Sequence, residues 1–336
     1  MGFDGSGFIW MNGKLVPWNE ATIPVGAHVI HYGSSVFEGI RMYHQEAGEH
    51  KSVVFRLREH IQRLYNSAKI YNMTPDNLSD DSPHAQSGEF LKYSINDVLD
   101  ACVETLKANG DRDAYIRPAI YRGYHSLGVD PRNCPVDVFV MTWRWGNYLG
   151  AEALEQGVDV AVSSWTRMAP NTFPALAKCG ANYMNSQLIK LEAIRHGYVE
   201  GIALDTMGYV SEGSGENIFI YLKDQKAIYT PPLGNSILPG ITRDALIKLL
   251  NDMTDAGEID AKVEEHIIPR EMLYLADEVF FCGTASEVTP IRSIDGKKIG
   301  AGKRGEIAGK LQEKFFSIIN GASEDTYNWL TAVEID

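Results

Sequence analysis

A single lysine stands among small residues in the second half of the chain. Residues 163–183 read SSWTRMAPNTFPALAKCGANY, so that Lys178 has alanine, cysteine and glycine as neighbours. These small side chains leave room for a planar group beside the amine. Because lysine loses its charge readily on burial, such an amine can form a Schiff base with a carbonyl compound. A lone lysine in a loop more often pairs with a carboxylate, so this stretch does not decide the chemistry alone.

Three further groups lie downstream of Lys178. Glu212 is an acid that a glycine-rich stretch follows directly. Thr242 lies at the predicted start of a helix, where backbone N–H groups and a hydroxyl suit an anion. Thr284 follows a buried strand, and its spacing to Glu287 fits a capping box, which predicts a second set of N–H groups. Each signal is weak by itself, because ordinary helix capping also explains a threonine at a helix start.

Taken together, these groups are the parts that pyridoxal phosphate requires. An amine attaches to the cofactor aldehyde, an acid lies against the pyridine nitrogen, and N–H groups bind the phosphate. The pattern predicts this cofactor and the chemistry of amino acids that it supports.

Hydrophobic periodicity predicts the elements that position these groups. Residues 8–16 are typical of a β-hairpin with a two-residue turn. Residues 59–71 follow a helical pattern with one apolar face. Arg63 lies off that face, four residues after Glu59, and a surface ion pair would explain it. Residues 74–90 are polar and without period, which indicates a surface loop.

Composition limits the classes of function. The chain has 336 residues, 44% of them hydrophobic and 22% charged, with a net charge of −13. This balance is typical of a globular chain of about two domains. It argues against a nucleic-acid partner, because no basic run is present to meet phosphates. With no leader, no long apolar run and four dispersed cysteines, we expect a cytoplasmic protein with no membrane contact and no metal.

Four motifs together resemble the class IV aminotransferases, and among them the bacterial branched-chain type. The resemblance runs from about Ile9 to Leu330. The motifs are His31-Tyr-Gly-Ser-Ser-Val-Phe-Glu-Gly-Ile-Arg41, Ala177-Lys-Cys-Gly-Ala-Asn-Tyr183, Ser211-Glu-Gly-Ser-Gly-Glu-Asn217 and Leu238-Pro-Gly-Ile-Thr-Arg243. Their occurrence in this order is specific to the family, and the activity it implies is transamination between branched-chain L-amino acids and 2-oxoglutarate.

The resemblance implies a role for each residue around pyridoxal 5'-phosphate. Lys178 matches the lysine that binds the cofactor covalently and moves the substrate proton. Glu212 matches the acid at the pyridine nitrogen, and Tyr183 matches the tyrosine at the 3′-oxygen. The remaining cofactor-binding positions, most of them at the phosphate, are Arg63, Leu238, Ile241, Thr242 and Thr284.

The resemblance also implies a substrate pocket. Residues matching family positions around the substrate side chain are Phe37, Tyr32, Val129, Trp145 and Tyr148, of which Tyr32 and Val129 would come from a neighbouring subunit. Tyr115 and Arg117 match residues near the substrate carboxylate, and Arg117 is the cation expected for the second carboxylate of glutamate. Gly39 and Ala285 would leave backbone groups for the α-carboxylate.

The family fold is an α+β fold, known as PLP fold type IV. It implies a small N-terminal α/β domain, residues 1–147, and a larger C-terminal domain with a β-barrel-like core and the cofactor lysine, residues 148–336. It also implies a homodimer as the working unit, often assembled to a homohexamer.

Other functions stay open from the sequence. Within the same fold, the alternatives are a transaminase that prefers aromatic amino acids, D-amino acids or (R)-amines, and an aminodeoxychorismate lyase. A non-enzymatic binding protein is a different class, but no phosphate-binding Gly-x-x-x-x-Gly-Lys-Ser/Thr motif or strand-linked Gly-x-Gly-x-x-Gly motif supports nucleotide binding.

Overall fold

The computed structural model describes residues 5–45, 47–48, 52–75, 89–146 and 151–335. Its helices are α1 (His28–Tyr32), α2 (Leu57–Ile70), α3 (Ile95–Asn109), α4 (Ala151–Gln156), α5 (Tyr183–Arg195), α6 (Ile241–Asp255), α7 (Met272–Leu275) and α8 (Glu306–Ile319). Within those ranges, no helix has both the length and the apolar character needed to cross a membrane.

The strands alternate with these helices along the chain. They are β1 (Phe8–Met11), β2 (Lys14–Pro17), β3 (Ser35–Phe37), β4 (Ile40–His44), β5 (Ser52–Phe55), β6 (Ala114–Arg122), β7 (Val136–Arg144), β8 (Val158–Val162), β9 (Glu200–Leu204), β10 (Val210–Gly213), β11 (Asn217–Leu222), β12 (Ala227–Thr230), β13 (Lys262–Glu265), β14 (Glu278–Gly283), β15 (Glu287–Ile294), β16 (Lys297–Lys298) and β17 (Leu330–Ala332).

The predicted hairpin is confirmed. β1 pairs antiparallel with β2, and Met11 lies opposite Lys14. Between them, Asn12 and Gly13 have φ angles of 47° and 94°. A two-residue hairpin turn of type I′ requires positive φ at both positions, and an Asn-Gly pair adopts it at little cost.

One compact unit is built from the described parts of residues 1–145, 177–181 and 318–336. Its sheet has the strand order β17-β5-β4-β6-β7-β1-β2, and β3 pairs with β6 off this path. α2 and α3 contact each other, and α3 packs on β7 and β1. The resulting core is apolar, and its centre includes Ile40, Met42, Ile61 and Leu64, all fully buried.

The helix predicted over 59–71 is α2, which begins two residues earlier and ends one residue earlier. The predicted apolar side of the helix packs into the core, because Ile61, Leu64, Tyr65 and Ala68 are all fully buried. The prediction succeeded because burial of one face imposes a period of about 3.6 residues on the sequence itself.

A second compact unit contains the described parts of residues 146–176 and 182–317. Its sheet has the order β10-β9-β8-β15-β14-β11-β12-β13, with β16 paired to β15. β8 runs parallel to both β9 and β15, whereas β14 is antiparallel to β11 and β15. The core contains apolar residues of the central strands, including Val160, Ile220 and Phe281.

The two units differ from the predicted domains 1–147 and 148–336 at the boundary, which lies two residues earlier, and in two further segments. The segment 177–181, which contains Lys178, belongs to the first unit because Cys179 forms a β-bridge with Val36. The C-terminal segment belongs there as well, because β17 pairs with β5. Within the predicted surface loop at 74–90, residues 76–88 lie outside the described part of the chain.

Candidate functional site

The backbone of Lys178 is fixed on both sides within the first unit. Its N–H donates to the Ser67 hydroxyl of α2 at 3.0 Å. Its carbonyl accepts a hydrogen bond from the N–H of Phe37 at 3.0 Å. The side chain is half-buried, so the structure holds the main chain in place and leaves the amine at the edge of the core.

The amine of Lys178 lies in apolar and cationic surroundings. Its Nζ is 5.0 Å from the centroid of the Phe37 ring. Burial, together with the nearby Arg63 guanidinium, lowers the pKa of Lys178 from 10.5 to about 8. With this pKa, roughly a tenth of the amine is neutral at pH 7, far more than for an ordinary lysine. Lys178 can therefore act as a nucleophile or a base near neutral pH.

Arg63 makes a buried ion pair, and the interpretation as a surface pair with Glu59 is wrong. Its Nε and Nη2 donate to the two oxygens of Glu38 at 2.6 and 2.8 Å. Glu59 instead accepts from Arg56 at 2.8 Å. The Arg63 guanidinium is thus turned inward, because a fully buried carboxylate on the first sheet requires a cation.

Arg117, on β6, lies over an aromatic ring. Its Cζ is 4.7 Å from the centroid of Phe37, the ring that also lies near Lys178. The Nε of Arg117 is buried, and it has no hydrogen-bond partner among the described residues. A buried donor without a partner is costly, so this guanidinium suits an anionic ligand.

Tyr115 precedes Arg117 by two residues and belongs to an aromatic cluster. Its ring centroid is 4.9 Å from that of Trp143 and 4.5 Å from that of Trp145. A Cβ at Gly39 would collide with the Tyr115 hydroxyl, so the absence of a side chain at Gly39 allows this close approach. The cluster offers an apolar wall with one polar tip.

Two predicted substrate residues, Tyr32 and Val129, do not join this cluster. Tyr32 ends α1 and is 46% exposed, and Val129 lies in a loop and is 86% exposed. Both were expected to act on a neighbouring subunit, for which exposure is required. Tyr148 lies outside the described residues.

Glu212 is the centre of a polar cluster in the second unit. It is 5% exposed, and its Oε1 pairs with Arg167 Nη2 at 2.8 Å. Its Oε2 accepts from Asn217 Nδ2 and from the N–H of Leu238, each at 3.0 Å. The Leu238 carbonyl also accepts from Asn217 at 3.0 Å. The contacts of Leu238 therefore fix the acid through its backbone.

Ile241 and Thr242 begin the 15-residue helix α6, as predicted. Thr242 is buried, and the N-cap residue of the helix is Gly240, which has no side chain to cap it. A Cβ at the preceding Gly240 would collide with the Asn217 side chain, so glycine is needed for Asn217 to reach Glu212. The N-terminus of a helix favours an anion because its first N–H groups point along the axis.

The capping-box interpretation of Thr284 and Glu287 is wrong. Gly283 pairs with Glu287, so this stretch is a hairpin turn between β14 and β15 and no helix follows it. Glu287 has a φ of 53°, which closes the turn. Thr284 and Ala285 are half-buried at the tip. The Ser286 hydroxyl is buried and has no partner among the described residues.

Tyr183 is the first residue of α5 and is half-buried. The structure therefore places it in the second unit, five residues after Lys178 and at a helix start.

Sequence reasoning missed the partners that hold these residues. They are Glu38 and His60 in the first unit and Arg167 and Asn217 in the second. One signal was available, because His60 and Arg63 are three residues apart and both lie beside the apolar face of α2. No local pattern indicated Arg167, which lies in an irregular segment.

Comparisons with known proteins identify the family. The model of the family Amino-transferase class IV matches residues 35–294, more than half of the chain. The branched-chain-amino-acid aminotransferase of Escherichia coli (strain K12) is 49% identical over 327 residues, which cover 97% of each chain.

Solved structures with related folds carry the same description. The crystal structure of Escherichia coli branched-chain amino acid aminotransferase matches with a TM-score of 0.86 and 46% identity, over 98% of this chain and all of that chain. The T.th. branched-chain amino acid aminotransferase complexed with N-(5'-phosphopyridoxyl)-L-glutamate matches with a TM-score of 0.84 and 39% identity, over 98% and 99%. The chain therefore belongs to the class IV aminotransferases.

Proposed function

We propose that this chain transfers the amino group between branched-chain L-amino acids (leucine, isoleucine and valine) and 2-oxoglutarate, with pyridoxal 5'-phosphate as cofactor. The products are branched 2-oxo acids and L-glutamate. The observation that carries the proposal is the fixed Lys178 amine, partly neutral at pH 7, in a chain 49% identical to a branched-chain aminotransferase over nearly its whole length. A solved relative that holds a phosphopyridoxyl-glutamate adduct supports both the cofactor and glutamate as a substrate.

The predicted residues fit this cofactor chemically. Lys178 supplies the amine that attaches to the cofactor aldehyde, and Glu212 supplies a buried anion for the pyridine nitrogen. Tyr183 would donate to the 3′-oxygen. The phosphate-binding groups would be Arg63, Ile241, Thr242 and Thr284. The buried hydroxyl of Ser286, which has no partner in the described chain, lies in the same turn as Thr284 and favours a polar ligand there. Leu238 acts by fixing Glu212.

The chain's own groups perform the proton transfers. When bound, pyridoxal phosphate supplies an electron-accepting ring that stabilises negative charge at the substrate α-carbon. Lys178 Nζ would remove the proton from that carbon and deliver it to carbon C4′ of the bound cofactor. Glu212, held by three donors, keeps the pyridine nitrogen protonated, which strengthens the electron-accepting ring.

The protein has to accept substrates with an apolar side chain as well as substrates with a side-chain carboxylate. Phe37, Tyr115 and Trp145 provide aromatic surface for leucine, isoleucine and valine. Arg117 provides the cation for glutamate. The backbone at Gly39 and Ala285 is proposed for the α-carboxylate, and Tyr32, Val129 and Tyr148 for the remaining wall.

Replacing Arg117 by alanine tests this selection. We expect kcat/KM to fall roughly 100-fold for glutamate and 2-oxoglutarate and less than about tenfold for leucine, because only the first two place a second carboxylate at the guanidinium. The measurement is steady-state kinetics of wild type and variant with each amino acid. Arg144→Ala, which removes an exposed arginine from the neighbouring strand β7, is the matched control.

Equal losses for leucine and glutamate in the Arg117→Ala variant would contradict this role of Arg117. A wild type that turns over aromatic amino acids, D-amino acids or (R)-amines much faster than leucine would replace the proposed substrate class by one of the same-fold alternatives.

Assembly is part of the proposal. Helix α5 carries an apolar row along an exposed face, formed by Met184, Leu188, Leu191 and Ile194. In the first unit, Val25, Ile30 and Tyr124 are also largely exposed apolar residues. Exposed apolar surface of this kind is typical of subunit contacts. We infer a homodimer as the working unit, with a homohexamer as a larger form, in the cytoplasm, where the four buried free cysteines would stay reduced.

A further inference from the structure

We infer that Glu38 is a positioning residue: it clamps the Arg63 guanidinium from the core side and supplies the negative charge beside Lys178. The inference rests on the proposed function in one respect, namely that Arg63 binds the cofactor phosphate. The geometry lies entirely within the first unit.

The contacts of Glu38 leave its carboxylate no freedom. Its Oε1 accepts from Arg63 Nε at 2.6 Å, and its Oε2 accepts from Arg63 Nη2 at 2.8 Å and from His60 Nδ1 at 2.7 Å. The N–H of Gly39 adds a fourth, longer contact at 3.3 Å. A two-point contact of this kind fixes the plane of the guanidinium as well as its position.

The charge balance of this cluster explains why its histidine, His60, is neutral. Glu38 is fully buried and His60 is 1% exposed. Burial lowers the pKa of His60, whereas Arg63 and His60 keep the pKa of Glu38 far below its usual range despite burial. His60 is therefore neutral at pH 7, its Nδ1–H donates to Glu38, and Arg63 alone neutralises the carboxylate. The second ring nitrogen, Nε2, has no partner among the described residues.

Lys178 responds to the charges of this cluster. Arg63 lowers the pKa of Lys178 and Glu38 raises it. His60, from the same helix as Arg63, also faces Lys178. Two groups from β6 also act on Lys178: Tyr115 raises its pKa and Arg117 lowers it. Removing the charge of Glu38 would leave Arg63 uncompensated, and the amine would lose its proton more easily.

The test is competitive acetylation of Lys178 with acetic anhydride across the pH range in which lysines titrate, read by mass spectrometry. It uses the full-length protein freed of cofactor, and recovery of activity on adding pyridoxal phosphate shows that it is folded. For Glu38→Gln we expect the pKa of Lys178 to fall by about one unit relative to wild type. Glu59→Gln removes the same charge from the exposed side of α2 and should change the pKa of Lys178 by no more than about 0.2 units. An unchanged value in folded Glu38→Gln protein overturns the inference.

A second variant keeps the test valid if Glu38→Gln does not fold. Glu38→Asp retains the charge but is too short to contact both Arg63 nitrogens. We expect the pKa of Lys178 to stay near the wild-type value and the Kd for pyridoxal phosphate, measured by absorbance titration, to rise about tenfold. An unchanged Kd in Glu38→Asp would contradict the clamping role of Glu38. If the wild type binds no pyridoxal phosphate, the proposed function is contradicted. The acetylation result would still test the effect of Glu38 on the pKa of Lys178.

Discussion

Replacing Lys178 by alanine should lower transamination turnover by at least about 10⁴-fold, the upper range for the loss of a general base and nucleophile. The amine is the group that attaches to the cofactor and that moves the α-proton. The measurement is the rate of glutamate formation from leucine and 2-oxoglutarate.

Two controls accompany the Lys178→Ala variant. Lys69→Ala removes an exposed lysine near the end of α2 and should retain full activity. Borohydride reduction followed by peptide mass spectrometry should place the cofactor on the peptide that contains Lys178 in wild type, and on no peptide in the variant. Turnover of Lys178→Ala within tenfold of wild type would exclude the proposed mechanism.

The second large effect is expected at Glu212. In Glu212→Gln, the amide can still accept from Asn217 and Leu238, but Arg167 loses its anionic partner and the pyridine nitrogen loses its counter-charge. Removing one preorganised charge from the reaction lowers kcat by roughly 10²- to 10³-fold. The measurement is kcat for leucine at saturating pyridoxal phosphate, so that weaker cofactor binding does not enter the result.

Glu212→Asp is the matched variant, because it keeps the charge and shortens the side chain. We expect its kcat to lie between those of wild type and Glu212→Gln. If Glu212→Gln turns over like wild type while thermal unfolding shows both proteins to be folded, the acid at the pyridine nitrogen has been assigned wrongly.

What the sequence could predict depends on how local each feature is. The Asn12-Gly13 hairpin and α2 were predicted because turn chemistry and a single buried face leave their mark on consecutive residues. The contact between Glu38 and Arg63 joins residues 25 apart in sequence and leaves no such mark. The local pattern around Arg63 therefore offered only a surface pair, and the family resemblance was needed to predict that the guanidinium turns inward.

The same reason explains the capping box and the domain boundary. The spacing of Thr284 and Glu287 fits a helix start, but pairing of β14 with β15 decides the local structure. The small segment around Lys178 belongs to the first unit through its contacts with Val36, Phe37 and Ser67, which only the fold reveals. The family resemblance supplied the roles of the site residues; the structure supplied the groups that hold them in place.

The visible absorption spectrum of the purified protein, before and after addition of L-leucine and then 2-oxoglutarate, tests the central claim most directly. A yellow band that L-leucine removes and 2-oxoglutarate restores would demonstrate the cofactor, both halves of the amino-group transfer and the substrate class in one titration. We predict this result. A yellow protein whose band L-leucine leaves unchanged would contradict the branched-chain assignment, and a protein without a band even after addition of pyridoxal phosphate would contradict the account of the site itself.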